Sequence, residues 1–186
     1  MRIFETLENL DQLGNVPEFP ADTPDPLGPN GDMDDDAALV DLRWRMSVNE
    51  VWLLFDLRQS WTLGSGNIAL MVFRDVVQVN FSSFEDYDGR REGRTWNALY
   101  DWNLDDGKNR DMDLQEGGSA KTLHLKGCRW RDGRIRYLGG SAVLVGTAHG
   151  YPAAPPLINE GADSEVRAGM PHWCSDFTLE YGTLHF

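Results

Sequence analysis

Residues 40–57 decide the fold, and they read VDLRWRMSVNEVWLLFDL. Apolar side chains recur at every second position on both sides of a short polar centre, which predicts two β-strands. A loop at 47–50 would set Met46 opposite Val51 and Trp44 opposite Leu53, so that one face of the hairpin is wholly apolar. Such a face needs a second layer of structure to cover it.

Further strand patterns follow along the chain. A tight turn at Arg74-Asp75 would pair 68–72 with 77–81 in a second hairpin with one apolar face. Alternating or aromatic-rich segments predict additional strands; they are 96–104, 123–131, 134–138, 141–146 and 177–181. We therefore expect a mainly β fold, an antiparallel β-sandwich or partly rolled sheet of about seven to eight strands with one or two short helices.

The N-terminal part has a different character. Apolar residues spaced three to four apart predict a short helix on one face; they are Ile3, Leu7, Leu10 and Leu13. Residues 17–36 contain five prolines and few apolar side chains, which predicts a loop. We expect a single domain over 1–186, with 1–38 an acidic, proline-rich N-terminal segment and 39–186 the β-rich body.

Acidic residues are concentrated near the N-terminus. The chain has a net charge of −13, and residues 1–41 hold eleven acids and one arginine, or −10. General nucleic-acid binding is disfavoured, because neutralising phosphates requires a positive surface. Charges interrupt every apolar stretch before roughly 20 residues accumulate, so we expect no membrane span. The first eight residues lack an apolar run, which predicts a cytoplasmic location.

No motif for catalysis or metal binding stands out. The run NGDMDDD at 30–36 suggests calcium, but an EF-hand loop starting at Asn30 would need glycine where Asp35 stands. The four histidines lack the spacing of metal ligands, and no nucleophile elbow is present. We expect no catalytic residue, metal or cofactor. Cys128 and Cys174 lack a Cys-x-x-Cys pattern and are interpreted as two buried thiols.

Seven tryptophans raise the question of an aromatic binding cleft. Several fall on strand patterns, where a large flat side chain most simply fills a core; they are Trp44, Trp52, Trp96, Trp102 and Trp130. Core packing is the simpler interpretation. An aromatic-lined pocket between the sheets, serving a small ligand or an enzyme, stays open as the alternative.

Asp132-Gly133 is the strongest hairpin signal in the sequence. A two-residue turn there would set Arg131 opposite Arg134 and Arg129 opposite Arg136, with all four arginines on one face. Like charges across a ladder repel, so this face needs carboxylates from the N-terminal segment, from Asp176 and Glu180, or from a partner; a phosphate ligand is another option. The candidate partner-binding residues are Asp32, Asp34, Asp35, Asp36, Arg129, Arg131, Arg134 and Arg136.

Two stretches carry a family resemblance: WLLFDLR at 52–58 with NIAL at 67–70, and YPAAPP at 151–156 with RAGMP and WCSDF at 167–177. They look like short proteins of high-GC Gram-positive bacteria, a source that the fourteen arginines and three lysines also fit. Proteins of that kind resemble immunity proteins of polymorphic toxin systems, which are small, acidic and non-enzymatic. The resemblance covers about a third of the chain and carries over no site residue.

These observations favour a non-enzymatic protein-binding function. The resemblance implies an immunity-type inhibitor that docks on a toxin through acidic residues, and charge complementarity would speed its encounter with a basic toxin. A small-ligand binder or enzyme is the second hypothesis. A scaffold or regulatory domain is the third, for which the sequence offers no discriminating feature.

Overall fold

Two antiparallel β-sheets form the described part of the protein, so the mainly β fold predicted from the sequence is confirmed. A computed structural model describes residues 1–21, 37–58, 66–83, 99–105, 120–127, 130–153 and 168–185. The strands are β1 (Ala38–Arg45), β2 (Glu50–Asp56), β3 (Ile68–Phe73), β4 (Val76–Ser83), β5 (Leu99–Asp105), β6 (Lys121–Gly127), β7 (Trp130–Tyr137), β8 (Ser141–Ala148) and β9 (Phe177–His185). The five-stranded sheet has the order β1-β2-β3-β8-β9, and the four-stranded sheet has the order β4-β7-β6-β5.

The five-stranded sheet is covered on both faces. One face packs against the second sheet, where Phe55, Met71 and Val143 share a buried cluster with Ile135 and Tyr137. Every residue of β3 is buried, which explains why its sequence is an uninterrupted apolar run rather than an alternation. The space between the sheets is therefore a hydrophobic core.

The N-terminal helix predicted from the spacing of its apolar residues is present, and it covers the opposite face of the sheet. Helix α1 (Ile3–Glu8) is followed by a short 3-10 helix (Leu10–Gln12). Ile3 and Leu7 are buried with Trp52 of β2 in a second apolar cluster. Backbone bonds from Ile3 to Ser175, 3.1 Å, and from Phe4 to Trp173, 2.9 Å, fasten the helix to the chain before β9. The helix thus supplies a third layer.

The first hairpin is confirmed, but its register differs by two residues. Trp44 pairs with Val51, and the turn occupies 46–49 instead of 47–50. Asn49 adopts a left-handed backbone, φ 53°, which asparagine tolerates better than most residues. As a consequence Met46 lies in the turn, 72% exposed, and Trp44 is 43% exposed. The prediction that Trp44 fills core is therefore wrong, whereas Trp52 is fully buried as expected.

The second predicted hairpin is wrong. Strand β3 lies between β2 and β8, whereas β4 belongs to the other sheet and pairs with β7. The chain therefore crosses between the sheets at Arg74-Asp75. A central strand with two neighbours gains backbone hydrogen bonds on both edges, and β8, distant in sequence, takes the place that the local pattern assigned to β4.

The predicted turn at Asp132-Gly133 is also wrong. Strand β7 runs straight through these residues, and Gly133 is paired with Phe81 on one side and Leu125 on the other. The connection from β6 to β7 falls at 128–129, outside the described residues. Pairing along both edges of β7 outweighs the local turn preference of Asp-Gly. The cross-strand arginine pairs expected from that turn are therefore absent.

Other expectations have mixed outcomes. The strands predicted at 141–146 and 177–181 are confirmed as β8 and β9. The predicted loop at 17–36 and the first part of 96–104 lie largely outside the described residues. Among the residues that the structure describes, no helix is long and apolar enough to cross a bilayer.

The burial of Tyr137 predicts that the protein loses stability at alkaline pH. The ring is fully buried, 4.9 Å from Phe73 between centroids, and its hydroxyl makes no hydrogen bond of good geometry within the described part. Burial raises the pKa of Tyr137, and the nearby Ser141 side chain lowers it in part. The neutral phenol therefore stabilises the fold below about pH 10, the ordinary pKa, and this contribution is lost as pH rises further.

We expect Tyr137→Phe to lose less stability than the wild type above about pH 10. The difference in slope is at most about 1.4 kcal/mol per pH unit, the value for one proton. Urea unfolding at neutral and alkaline pH measures it. Parallel pH profiles for the two proteins would contradict this account.

Candidate functional site

Three turns meet at one end of the sandwich. They are residues 46–49 between β1 and β2, 74–75 between β3 and β4, and 138–140 between β7 and β8. The Val76 amide donates to the Asn49 carbonyl at 2.8 Å, and the Leu138 amide donates to the Asp75 carbonyl at 3.1 Å. We call this region the three-turn end. Its backbone bonds hold the turns in one arrangement.

The second and third turns are bonded in both directions. The Arg74 amide donates to the Gly140 carbonyl at 3.0 Å, and the Gly139 amide donates to the Arg74 carbonyl at 3.1 Å. A Cβ atom on Gly139 would lie 3.0 Å from the Arg74 carbonyl oxygen and would collide with the Asp75 carboxylate. Glycine therefore fits this close approach without crowding, whereas a larger residue would displace the Asp75 carboxylate and press on the Arg74 carbonyl.

Apolar side chains are exposed at and beside these turns. We call them the end patch; they are Trp44 (43% exposed), Met46 (72%), Val48 (49%), Val77 (51%) and Leu138 (46%). Within the described residues, the other large apolar side chain with comparable exposure is Met1. Singly exposed apolar residues are ordinary on protein surfaces, but a group on adjacent turns is typical of interaction sites.

Ion pairs border the end patch. The Arg74 guanidinium contacts Asp11 at 2.7 Å and Glu50 at 3.4 Å. Arg45 contacts Glu50 at 3.2 Å and Glu8 at 3.4 Å. These partly exposed pairs add little stability individually. Their effect here is to connect α1 and the 3-10 helix to the edge of the hairpin.

Arginines also stack on buried aromatic rings beside the hairpin. The Arg45 guanidinium lies 4.5 Å from the Trp52 ring centroid. Arg43 lies 5.3 Å from the Trp173 centroid and 5.8 Å from that of Phe4. Such cation–π contacts place the guanidinium over the face of the ring and shield that face from water. These rings are used for packing.

A buried ion pair organises the opposite end of the sandwich. The Arg58 guanidinium contacts the Asp56 carboxylate at 2.6 Å, with 2% and 4% of their side chains exposed. Arg58 also donates to the Pro152 carbonyl at 3.3 Å and to the Gly169 carbonyl at 3.0 Å. Because its donors are used to hold two loop segments, we interpret Arg58 as structural.

The candidate residues named from the sequence are not brought together in the described structure. Asp32, Asp34, Asp35, Asp36 and Arg129 lie outside the described residues, and Arg131 is placed on β7 by its backbone alone. Their role in partner binding stays a prediction.

Arg134 and Arg136 are described more fully. Arg134 is exposed opposite Asn80 and His124, and Arg136 is half-buried opposite Gln78 and Thr122. Both make further interactions. Neither faces another arginine in the ladder, so the predicted repulsion between strands does not arise.

Ligating side chains and the cysteines complete the description of the surface. Among the described residues, no group of three or more His, Cys, Asp and Glu side chains is arranged to hold a metal ion. The expectation of two buried thiols is wrong for Cys174, which is exposed, while Cys128 lies outside the described part. Cys174 lies in the turn before β9, where the alternation of buried and exposed residues points it outward.

The turn sequence Met46-Ser47-Val48-Asn49 held a signal for the end patch. Val48 lies within the turn predicted at 47–50, where a large apolar residue is not buried by the hairpin itself. Met46 was expected on the strand, and its exposure follows from the shifted register. Val77 and Leu138 gave no such signal, because their exposure depends on the crossing of β4 into the second sheet.

Comparisons with models of protein families, with curated proteins and with solved structures found no match. The function is therefore argued from the geometry of the surface.

The close packing around Gly139 predicts that alanine is destabilising there, whereas alanine at Gly14 should change stability little. Gly139→Ala is expected to cost about 1–3 kcal/mol of unfolding free energy, because the added methyl group must displace the Asp75 carboxylate and crowds the Arg74 carbonyl. Gly14→Ala is the control, since a Cβ there meets nothing within 4 Å; a surface change of this kind stays within about 0.5 kcal/mol. Urea unfolding of both variants measures the difference, and equal stabilities would refute the packing described.

Proposed function

We propose that this protein is a non-enzymatic binding domain that docks on a partner protein through the end patch. The observation that carries the proposal is the exposure of five apolar side chains around turns that backbone hydrogen bonds hold together. Exposing such a group to water is unfavourable unless a partner covers it. Tryptophan, here Trp44, is also among the residues that most often dominate binding energy at interfaces.

The rigidity of the three-turn end supports the proposal. Association costs conformational entropy whenever loops must be ordered at the interface. Backbone bonds between Val76 and Asn49, and between Leu138 and Asp75, are formed within the free protein. The turns are thus pre-organised, and less of the interaction energy is spent on ordering them.

The charge of the chain points to a basic partner. A net charge of −13 attracts positively charged proteins over a distance of about one Debye length and raises their association rate. An immunity-type inhibitor that neutralises a basic toxin combines this charge with a rigid docking surface. We propose this as the specific function, with a cytoplasmic location. Asp32, Asp34, Asp35 and Asp36 stay candidates for additional contacts with the toxin.

The alternative is a pocket between the sheets for a small ligand. Phe55, Phe73 and Tyr137, three aromatic residues between the sheets, are fully buried within the core cluster. Their rings contact apolar side chains, as in an ordinary hydrophobic core. Within the described residues, this packing favours the docking surface over the pocket.

A toxin-rescue experiment tests the proposal. The proteins encoded next to this chain's gene are expressed in a host, and those that arrest growth are co-expressed with the chain. We expect growth rescue, and calorimetry with the purified pair should show affinity that weakens as salt is added. Met46→Ser combined with Val48→Ser should raise the Kd about a hundredfold, because both apolar contacts are lost.

The control is Ala153→Ser, an exposed position beyond β8 at the opposite end of the sandwich. It should rescue growth and bind like the wild type. Rescue by the Met46/Val48 variant with an unchanged Kd would remove the end patch from the proposal. The absence of any toxin among the neighbouring genes would argue against the inhibitor function itself.

A further inference from the structure

We infer that Asp75 binds a basic side chain of the partner within the end patch. The partner's contact site would then be an arginine or lysine surrounded by apolar groups. This inference rests on the proposed docking function and deepens it, since it names the chemistry that the surface selects.

The position of Asp75 is the first support. Its carbonyl accepts the Leu138 amide, and Val77 of the end patch lies two residues further along the chain. The residue is exposed. A partner that covers Val77 and Leu138 therefore also covers Asp75.

The distribution of charge is the second support. Asp11 and Glu50, the neighbouring acids, share the Arg74 guanidinium, and Glu50 also contacts Arg45. Within the described residues, the Asp75 carboxylate forms no ion pair, although it follows Arg74 directly in the chain. The nearby cations are thus committed elsewhere, and the negative charge of Asp75 is available to a partner.

The backbone of Asp75 offers a comparison with other residues. Its φ is 51°, in the left-handed region where glycine or asparagine is favoured. Asparagine would satisfy the same turn without a charge. Aspartate and asparagine both tolerate this conformation, so the turn permits the carboxylate of Asp75 without requiring its charge.

Once a partner has docked, the charge of Asp75 would favour a basic group of the partner over a neutral one. When apolar side chains exclude water around Asp75, a carboxylate facing a neutral partner is left buried and unpaired, which is strongly unfavourable. A guanidinium or ammonium group restores the pairing and forms charge-assisted hydrogen bonds. Apolar contacts would thus supply affinity, while Asp75 discriminates between partners.

Peptide selection tests the inference without a known toxin. A fully randomised peptide library displayed on phage is selected separately on the wild type, on Asp75→Asn, and on Met46→Ser combined with Val48→Ser. Asparagine keeps the turn and removes the charge. Asp176→Asn is the matched control, because it makes the same charge change at an exposed site beyond the far end of β8.

We expect peptides selected on the wild type and on Asp176→Asn to combine an arginine or lysine with large apolar residues. On Asp75→Asn the apolar preference should persist, the basic preference should disappear, and Kd values of the wild-type peptides should rise at least about tenfold. An unchanged basic preference on Asp75→Asn would overturn the inference alone. Failure to select peptides on the wild type, or selection that ignores the Met46 and Val48 changes, would overturn the docking surface as well.

Discussion

Strands β2, β3 and β8 are covered on both faces, and the rest of the described structure is arranged around that constraint. The four-stranded sheet covers one side, and α1 with the chain before β9 covers the other. Because hydrophobic burial is the largest favourable term in folding, neither cover can be removed without exposing this sheet to water. The N-terminal helix is therefore part of the fold.

The end patch follows from the same arrangement. The chain must pass from one sheet to the other at Arg74-Asp75 and again at 138–140, so these two crossings lie next to each other at one end of the sandwich. The β1–β2 turn meets them there through the bond between Asn49 and Val76. Exposed apolar residues from three separate parts of the sequence are thereby brought to the same end of the sandwich.

Local patterns predicted the elements better than their partners. The alternation around residues 40–57 was sufficient for the first hairpin, because two strands joined by a short turn have few ways to pair. The pairing of β3 with β8 was not predictable in this way, since nothing in the apolar run of β3 specifies a strand so distant in sequence. Asp132-Gly133 shows the same limit: a strong turn preference yielded to strand pairing on both sides.

For the candidate site too, some residues could be predicted from the local sequence and others only from the strand topology. Val48 falls within the turn predicted from the sequence, so its exposure could be expected. Met46 was expected on the strand, and the proximity of Val77 and Leu138 required the topology. Aspartate tolerates a left-handed backbone better than most residues, but the Arg74-Asp75 sequence alone did not indicate that Asp75 adopts it. The acidic residues that dominate the composition lie mostly outside the described part of the chain.

Backbone hydrogen bonds are present at both ends of the sandwich, but the far end also depends on one buried side chain. There Arg58 joins a strand to the carbonyl groups of two loop segments, in addition to backbone bonds such as that from the Leu57 amide to the Asn67 carbonyl. At the three-turn end, peptide groups link the three turns directly to one another. Any side chain can be replaced by a single codon change, but peptide groups are common to every sequence. Over evolutionary time the three-turn end can therefore exchange its exposed side chains and keep the arrangement of its turns.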